Sequence, residues 1–227
     1  LRRPQLVEVL EQLGLEDLRV EGGDAVGGVP AEDGEMGHAH MLAAAAFFDE
    51  GKDALRKLIA TGDVFIHNMR PEAMARLGFG YAEVASLKPD IIYVEAVGYG
   101  SGGPYNGRQA FDDLIQAASG ACDLLPLYDG DDELRPFPSI IADKTCGLFA
   151  VIATLAALQH RARTGEGQFV EVPMFETIAA FTLVEHLYDA TFEPPVGPPG
   201  YPRVLSPHRR PFRTRDGHVC ALPYTNR

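Results

Sequence analysis

The stretch DKTCGLFAVIATLAALQHRARTGEGQFVEVPMFETIAAFTLVEHLY, residues 143–188, reads as helix, turn, strand and helix in succession. Its first part, to Arg163, is apolar nearly all round, the pattern of a helix buried on most sides. TGEGQ (164–168) is a turn, and FVEVPM (169–174) has the composition of a short strand. Helical spacing then returns over 175–188. A strand set between two helices belongs to a parallel sheet, because parallel neighbours need crossover connections.

The same alternation extends upstream. EGKDALRKLIAT (50–61) is an amphipathic helix, and DVFIHN (63–68) is an apolar strand. PEAMARLGFG (71–80) opens with Pro in a first helical turn and closes on Gly. After another short helix, PDIIYVEAVGYG (89–100) supplies a second β-branched strand, and FDDLIQAASGACDLL (111–125) a further helix. Nearer the start, Leu6, Val7, Leu10 and Leu13 have helical spacing, LRVE (18–21) reads as a short strand, and residues 22–38 form a Gly- and Asp-rich loop. HMLAAAAFFDEG (40–51) is ambiguous between strand and helix. The expectation is an α/β fold: a large Rossmann-like domain whose mostly parallel sheet is covered on both faces, spanning 1–190. A proline-rich linker of semi-rigid extended chain follows at 191–211. Residues 212–227, turning at Asp216-Gly217, open the hairpin of a smaller α+β domain.

Composition narrows the function. Twenty Lys and Arg against 32 Asp and Glu give a net charge of −12, which argues against a nucleic-acid partner. A hydrophobic fraction of 46% is enough for a sizeable core. No uninterrupted apolar run reaches a spanning length, so no membrane partner is expected. Cys122, Cys146 and Cys220 are odd in number and far apart, which suits a reducing cytoplasm better than a disulfide framework or a zinc site.

Among candidate sites, Asp143 stands between an apolar tripeptide and the long apolar run. An Asp just before a helix is a favoured cap for its first amides. The same place suits a covalent nucleophile, since a helix N-terminus favours an anion. Local sequence leaves both readings open. GYGSGGPYNGR (98–108) has the Gly density of a phosphate cradle, but Pro104 and the lack of a helix directly after it make a plain loop the better reading. His38 and His40 have no third ligand at useful spacing, and DGDDE (129–133) lacks the spacing of a calcium loop, so no metal is expected. No nucleophile elbow is present.

Three collinear blocks covering roughly residues 62–227 resemble the class III CoA-transferase family, the CaiB/BaiF-type group with formyl-CoA transferases and α-methylacyl-CoA racemases. GDVFIHNMRPEAMARLGFGYAEVASLKPDIIYVEAVGYGSGGPY (62–105) is similar to that family's A-D-V-x-x-E-N-F-R-P-G…R-L-G…G-F-G…G-P-Y block. IADKTCGLFAVIATLAALQHRARTGEGQFVEVPMFE (141–176) is similar to its A-D-x-x-x-G…T-G-x-G-Q-x-V-x-V-x-x-x-E block, and PFRTRDGHV (211–219) to the hairpin opening its small domain. PQLVEVLEQLGLEDLRVEGGD (4–24) matches more thinly.

The resemblance implies a CoA-transferase acting on acyl-CoA and carboxylate substrates as an interlocked homodimer. It places Asp143 at the catalytic aspartate, which attacks a thioester to give an aspartyl anhydride and then an aspartyl-CoA thioester. Asn68, Met69 and Arg70 fall on the N-F-R element lining the CoA pocket, and Arg76 falls on the Arg of R-L-G, where it could meet a CoA phosphate. The chain departs from the pattern at Ala43, where a basic N-K-R-S segment is usual, and at its start, where RRP replaces A-G-P and the first strand is missing. Racemases carry a His where Phe111 stands, and two-base racemisation needs a second base that Phe cannot supply. Transferase is therefore favoured over a racemase-like acyl-CoA isomerase. A non-catalytic relative is the other alternative.

Overall fold

A computed structural model describes residues 49–221. The helix expected at 4–13, the strand at 18–21, the loop at 22–38, His38, His40 and Ala43 lie outside the described residues. The chain divides into two compact units, residues 1–62 and 63–227. Within the first, α1 (Asp49–Thr61) is the expected amphipathic helix, with Ala54 and Ile59 buried and Arg56 bonded to Asp53 at 2.7 Å.

The second unit is built on a three-stranded parallel sheet in the order β1 (Val64–His67), β2 (Ile92–Val97), β3 (Gln168–Pro173). Ile92, Tyr93 and Val94 of the central strand are all but fully buried, as a strand covered on both faces requires. Alternation along β2 then assigns each face its own partners. Ile92 and Val94 join Val172 against Cys146, Ala150 and Ala157 of α6 (Ile141–Thr164). The small residues of that helix let its backbone approach the sheet. On the opposite face Phe65, Tyr93 and Phe169 are direct cross-strand neighbours, and Tyr81 completes an aromatic cluster with ring centroids 5.5–5.8 Å apart. Two residues further on, His67, Glu95 and Glu171 form a second row in the same register.

The connection from β1 to β2 is made by α2 (Pro71–Leu77) and α3 (Tyr81–Leu87). Pro71 sits in the first turn of α2, as expected, and Gly78 closes it. The single helix expected over 111–125 is instead three pieces: α4 (Asp112–Ala118), a 3₁₀ turn (Ala121–Asp123) and α5 (Leu124–Asp129). The break falls at Gly120, whose φ of 81° no helix accommodates. After α6, the TGEGQ turn runs against β2: a Cβ on Gly167 would lie 2.5 Å from the Ile91 carbonyl oxygen, so only glycine fits. Then α7 (Met174–His186) packs with α4 and α6 around Ile115, Ala142 and Ile178.

α6 is not buried all round, contrary to its uniform apolarity. Leu148, Val151, Ile152 and Leu155 are more than half exposed, because the sheet and α7 cover only part of its circumference. By length and composition it could cross a membrane, but its Ala and Cys face is packed on the sheet as in a core helix. The proline-rich segment after α7 turns back instead of running extended. Gly200 N–H donates to the His186 carbonyl, Tyr201 N–H to His186 Nδ1, and the Tyr128 hydroxyl to the Arg209 carbonyl. β4 (Phe212–Arg213) and β5 (His218–Val219) form an antiparallel hairpin around Asp216-Gly217.

Candidate active site

Arg161 orients α6. Its guanidinium bonds the Asp63 carboxylate at 2.8 Å and the carbonyls of Asp63 and Asp90, residues that precede β1 and β2. The C-terminal end of α6 is thus fixed at the beginning of the strands. Its N-terminal end lies at their carboxyl edge, where open α/β sheets place ligands.

α6 begins at Ile141, so Asp143 is in the first turn and its carboxylate caps nothing. The capping reading of this residue is overturned. The cap comes from another helix: Asp112 Oδ2 accepts the Asp143 backbone N–H at 2.9 Å. Asp112 is buried and itself held by Gln116, one turn along α4 and fully buried. Gln116 Nε2 also donates to the Ser139 carbonyl, and Gln116 Oε1 accepts the Phe137 N–H at 2.8 Å. This one amide fixes both the cap and the loop that enters α6.

The Asp143 carboxylate is left exposed, without a hydrogen bond or ion pair among the described residues. Partial burial raises its pKa, and the nearby Asp112 charge raises it further. A more basic carboxylate is the better nucleophile. Phe111, beside Asp112, is exposed and offers no base.

Asn68, Met69 and Arg70 follow directly on β1, and Arg70 is the residue before the first turn of α2, with Arg76 in its last turn. Asn68, Arg70 and Arg76 are exposed and Met69 is half-buried. Neither guanidinium is paired with a carboxylate among the described residues, which leaves both available to phosphate. Asn68, Met69 and Arg70 leave β1 at the carboxyl edge of the sheet, whereas Arg76 lies a helix further on, and no hydrogen bond or ion pair joins any of the four to Asp143 among the described residues. The Gly-rich loop turns its amides inward: Gly100 N–H donates to Glu176 at 3.0 Å and Ser101 N–H to Glu171 at 3.0 Å. Those two amides are unavailable to an anion. No group of side chains suited to a metal occurs among the described residues.

Sequence reasoning missed Asp112 and Gln116. Their signal was two polar side chains four apart on the same helical face as Ile115.

The model of CoA-transferase family III matches residues 48–227. The chain is 30% identical over 187 residues to the succinyl-CoA–L-malate CoA-transferase beta subunit of Chloroflexus aurantiacus, covering 77% of this chain and 46% of that protein. It is also 30% identical to the probable fatty acyl-CoA transferase Rv3272 of Mycobacterium tuberculosis, covering 78% of this chain and 47% of the relative. A CAIB/BAIF family protein from Brucella suis superposes with a TM-score of 0.65 at 28% identity, covering 76% of this chain and 45% of that one. The chain spans about half the length of these relatives.

Proposed function

Because the chain belongs to CoA-transferase family III, we propose that it moves CoA from an acyl-CoA donor to a carboxylic acid acceptor, with Asp143 as the covalent nucleophile. The observation that carries this is the Asp143 carboxylate itself, relieved of capping by Asp112 and exposed at the carboxyl edge of the sheet.

The carboxylate attacks the donor thioester, forming an Asp143–acyl anhydride and expelling the CoA thiolate. The thiolate attacks the aspartyl carbonyl, releasing the donor acid and leaving an aspartyl-CoA thioester. The acceptor carboxylate then attacks this thioester, giving a new anhydride and free thiolate. Thiolate attack on the acceptor's carbonyl yields the new acyl-CoA and restores Asp143. Dividing one acyl transfer into four steps keeps every nucleophile a carboxylate or thiolate. Asn68, Met69, Arg70 and Arg76 contact CoA in this reading, the two arginines meeting its phosphates. Two chains form a homodimer, with a second copy covering Leu148, Val151, Ile152 and Leu155; light scattering that returned only monomer would count against it.

Asp143→Asn tests the reaction. Asparagine preserves shape but cannot attack, so CoA exchange should fall at least about a thousandfold with the fold intact. Wild-type protein incubated with an acyl-CoA and quenched with hydroxylamine should carry a hydroxamate on the Asp143 peptide. An Asn variant that retains exchange would remove the assignment.

A further inference from the structure

His67, Tyr93 and Glu95 have no part in the proposed chemistry, yet their side chains are buried together on the face of the sheet opposite α6. The Tyr93 ring is 1% exposed, and its hydroxyl donates to the Phe79 carbonyl at 3.0 Å. The same oxygen lies 2.8 Å from His67 Nε2. A hydroxyl has one proton, and here it is committed to Phe79. His67 Nε2 therefore carries a hydrogen and donates it to Tyr93 Oη. Glu95 Oε1, 3.6 Å from the same nitrogen, favours that tautomer electrostatically. His67 Nδ1 is buried and makes no hydrogen bond of good geometry among the described residues, the Met69 backbone being its neighbour.

The chain positions of the two bonded groups give this arrangement its meaning. His67 is the residue before Asn68, and Phe79 is the residue after the Gly78 that ends α2. The Tyr93 hydroxyl thus ties both ends of residues 68–78 to the central strand. Between the ties lie Asn68, Met69, Arg70 and Arg76. The side chains of Arg70 and Arg76 are exposed, so their aim depends on where the backbone of α2 is held.

We propose that the buried Tyr93–His67–Glu95 group is a clamp that positions residues 68–78 to bind CoA, a proposal that rests on the reading of this segment given above. Tyr93, His67 and Glu95 are positioning residues and do not touch the ligand.

Tyr93→Phe removes the hydroxyl and keeps the ring in the aromatic cluster. Amide hydrogen exchange over residues 68–79 should quicken about threefold to tenfold, the worth of one or two lost hydrogen bonds, with α6 and β3 unchanged. In the same variant CoA should bind more weakly by a similar factor in calorimetry, and KM for acyl-CoA should rise with kcat preserved. A general loss of structure would instead lower kcat through the active fraction. His67→Gln, which can still donate to Tyr93, should recover most of the CoA affinity that His67→Leu loses. Unchanged exchange over 68–79 in Tyr93→Phe overturns the clamp whether or not CoA binds. Quickened exchange with unchanged CoA affinity overturns its link to the ligand. Wild-type protein that binds no CoA overturns the functional reading and that link together, and the exchange result then decides the clamp alone.

Discussion

The backbone N–H of Asp143 donates to the carboxylate of Asp112, 31 residues earlier in the chain and on a different helix, at 2.9 Å. This one bond separates two tasks that sequence alone would assign to a single aspartate. Asp112 caps α6, and the Asp143 carboxylate is left without a hydrogen bond among the described residues.

Asp112→Ala should therefore be costly although it lies outside the proposed chemistry. It strips the partner from the Asp143 N–H and from one N–H of the buried Gln116 amide, whose other N–H keeps the Ser139 carbonyl. The expected loss is about 1–3 kcal/mol for the buried Gln116 N–H, with the Asp143 amide adding less because it lies nearer solvent, read as a lower urea midpoint. Asp112→Asn should be milder, because its carbonyl oxygen can still accept. Its charge is gone, however, and that charge helps hold the Asp143 pKa up. The acid limb of CoA exchange should consequently move to lower pH in Asp112→Asn. A limb that moved upward would contradict the geometry.

Asp143→Asn should not destabilise the protein at neutral pH. The folded-state pKa of Asp143 is raised, so the stability its protonated form contributes at low pH is lost as pH rises through that value. An uncharged amide escapes this penalty, and the cap does not depend on the side chain. Thermal melts should give a Tm equal to or above that of the wild type. A clear drop would return Asp143 to a capping role.

His67 should shape acid stability. Burial lowers its pKa from 6.5 to about 4, with the Met69 backbone opposing. As pH falls below 6.5 the unfolded chain takes up a proton that the folded chain refuses, so stability declines until about 4. Above 6.5 the residue has no such effect. Glu95 acts in the opposite sense: burial, then Glu171 and Glu72, raise its pKa, so the folded state gains its proton first on acidification. Replacing His67 with Gln should flatten the fall in Tm over that interval and leave Tm near pH 8 little changed. An equally steep fall in the variant would assign it to other groups.

Glu176 should anchor the Gly-rich loop. Gly100 N–H meets both of its carboxylate oxygens, at 3.0 and 3.2 Å. Glu176→Ala should cost about 1.5 kcal/mol, typical of a hydrogen bond to a charged group, and expose residues 98–108 to limited proteolysis. Glu176→Gln, which keeps one acceptor, should remain resistant. Equal cleavage of wild type and Ala variant would show that the loop is held by other contacts.

Much of the architecture was legible along the chain because its signals are local. β-branched runs at 63–68, 89–100 and 169–174 alternate with helical spacing, and that alternation is enough for a parallel α/β sheet. Pro71 and Gly78 bound α2 through their own backbone preferences, with no help from neighbours. The position of Asp143 in a recognisable motif also needed no coordinates. Tertiary structure decided what each polar group faces. Only folding brings Asp112 to the Asp143 amide, aligns His67, Glu95 and Glu171 across three strands, and turns the Gly-rich loop's amides toward Glu171 and Glu176. It also decided that α6, apolar around its whole circumference, is covered by the sheet on one side only. Periodicity reports how apolar a face is, whereas the partner of a face or of a carboxylate comes from residues distant in sequence, which no local pattern encodes.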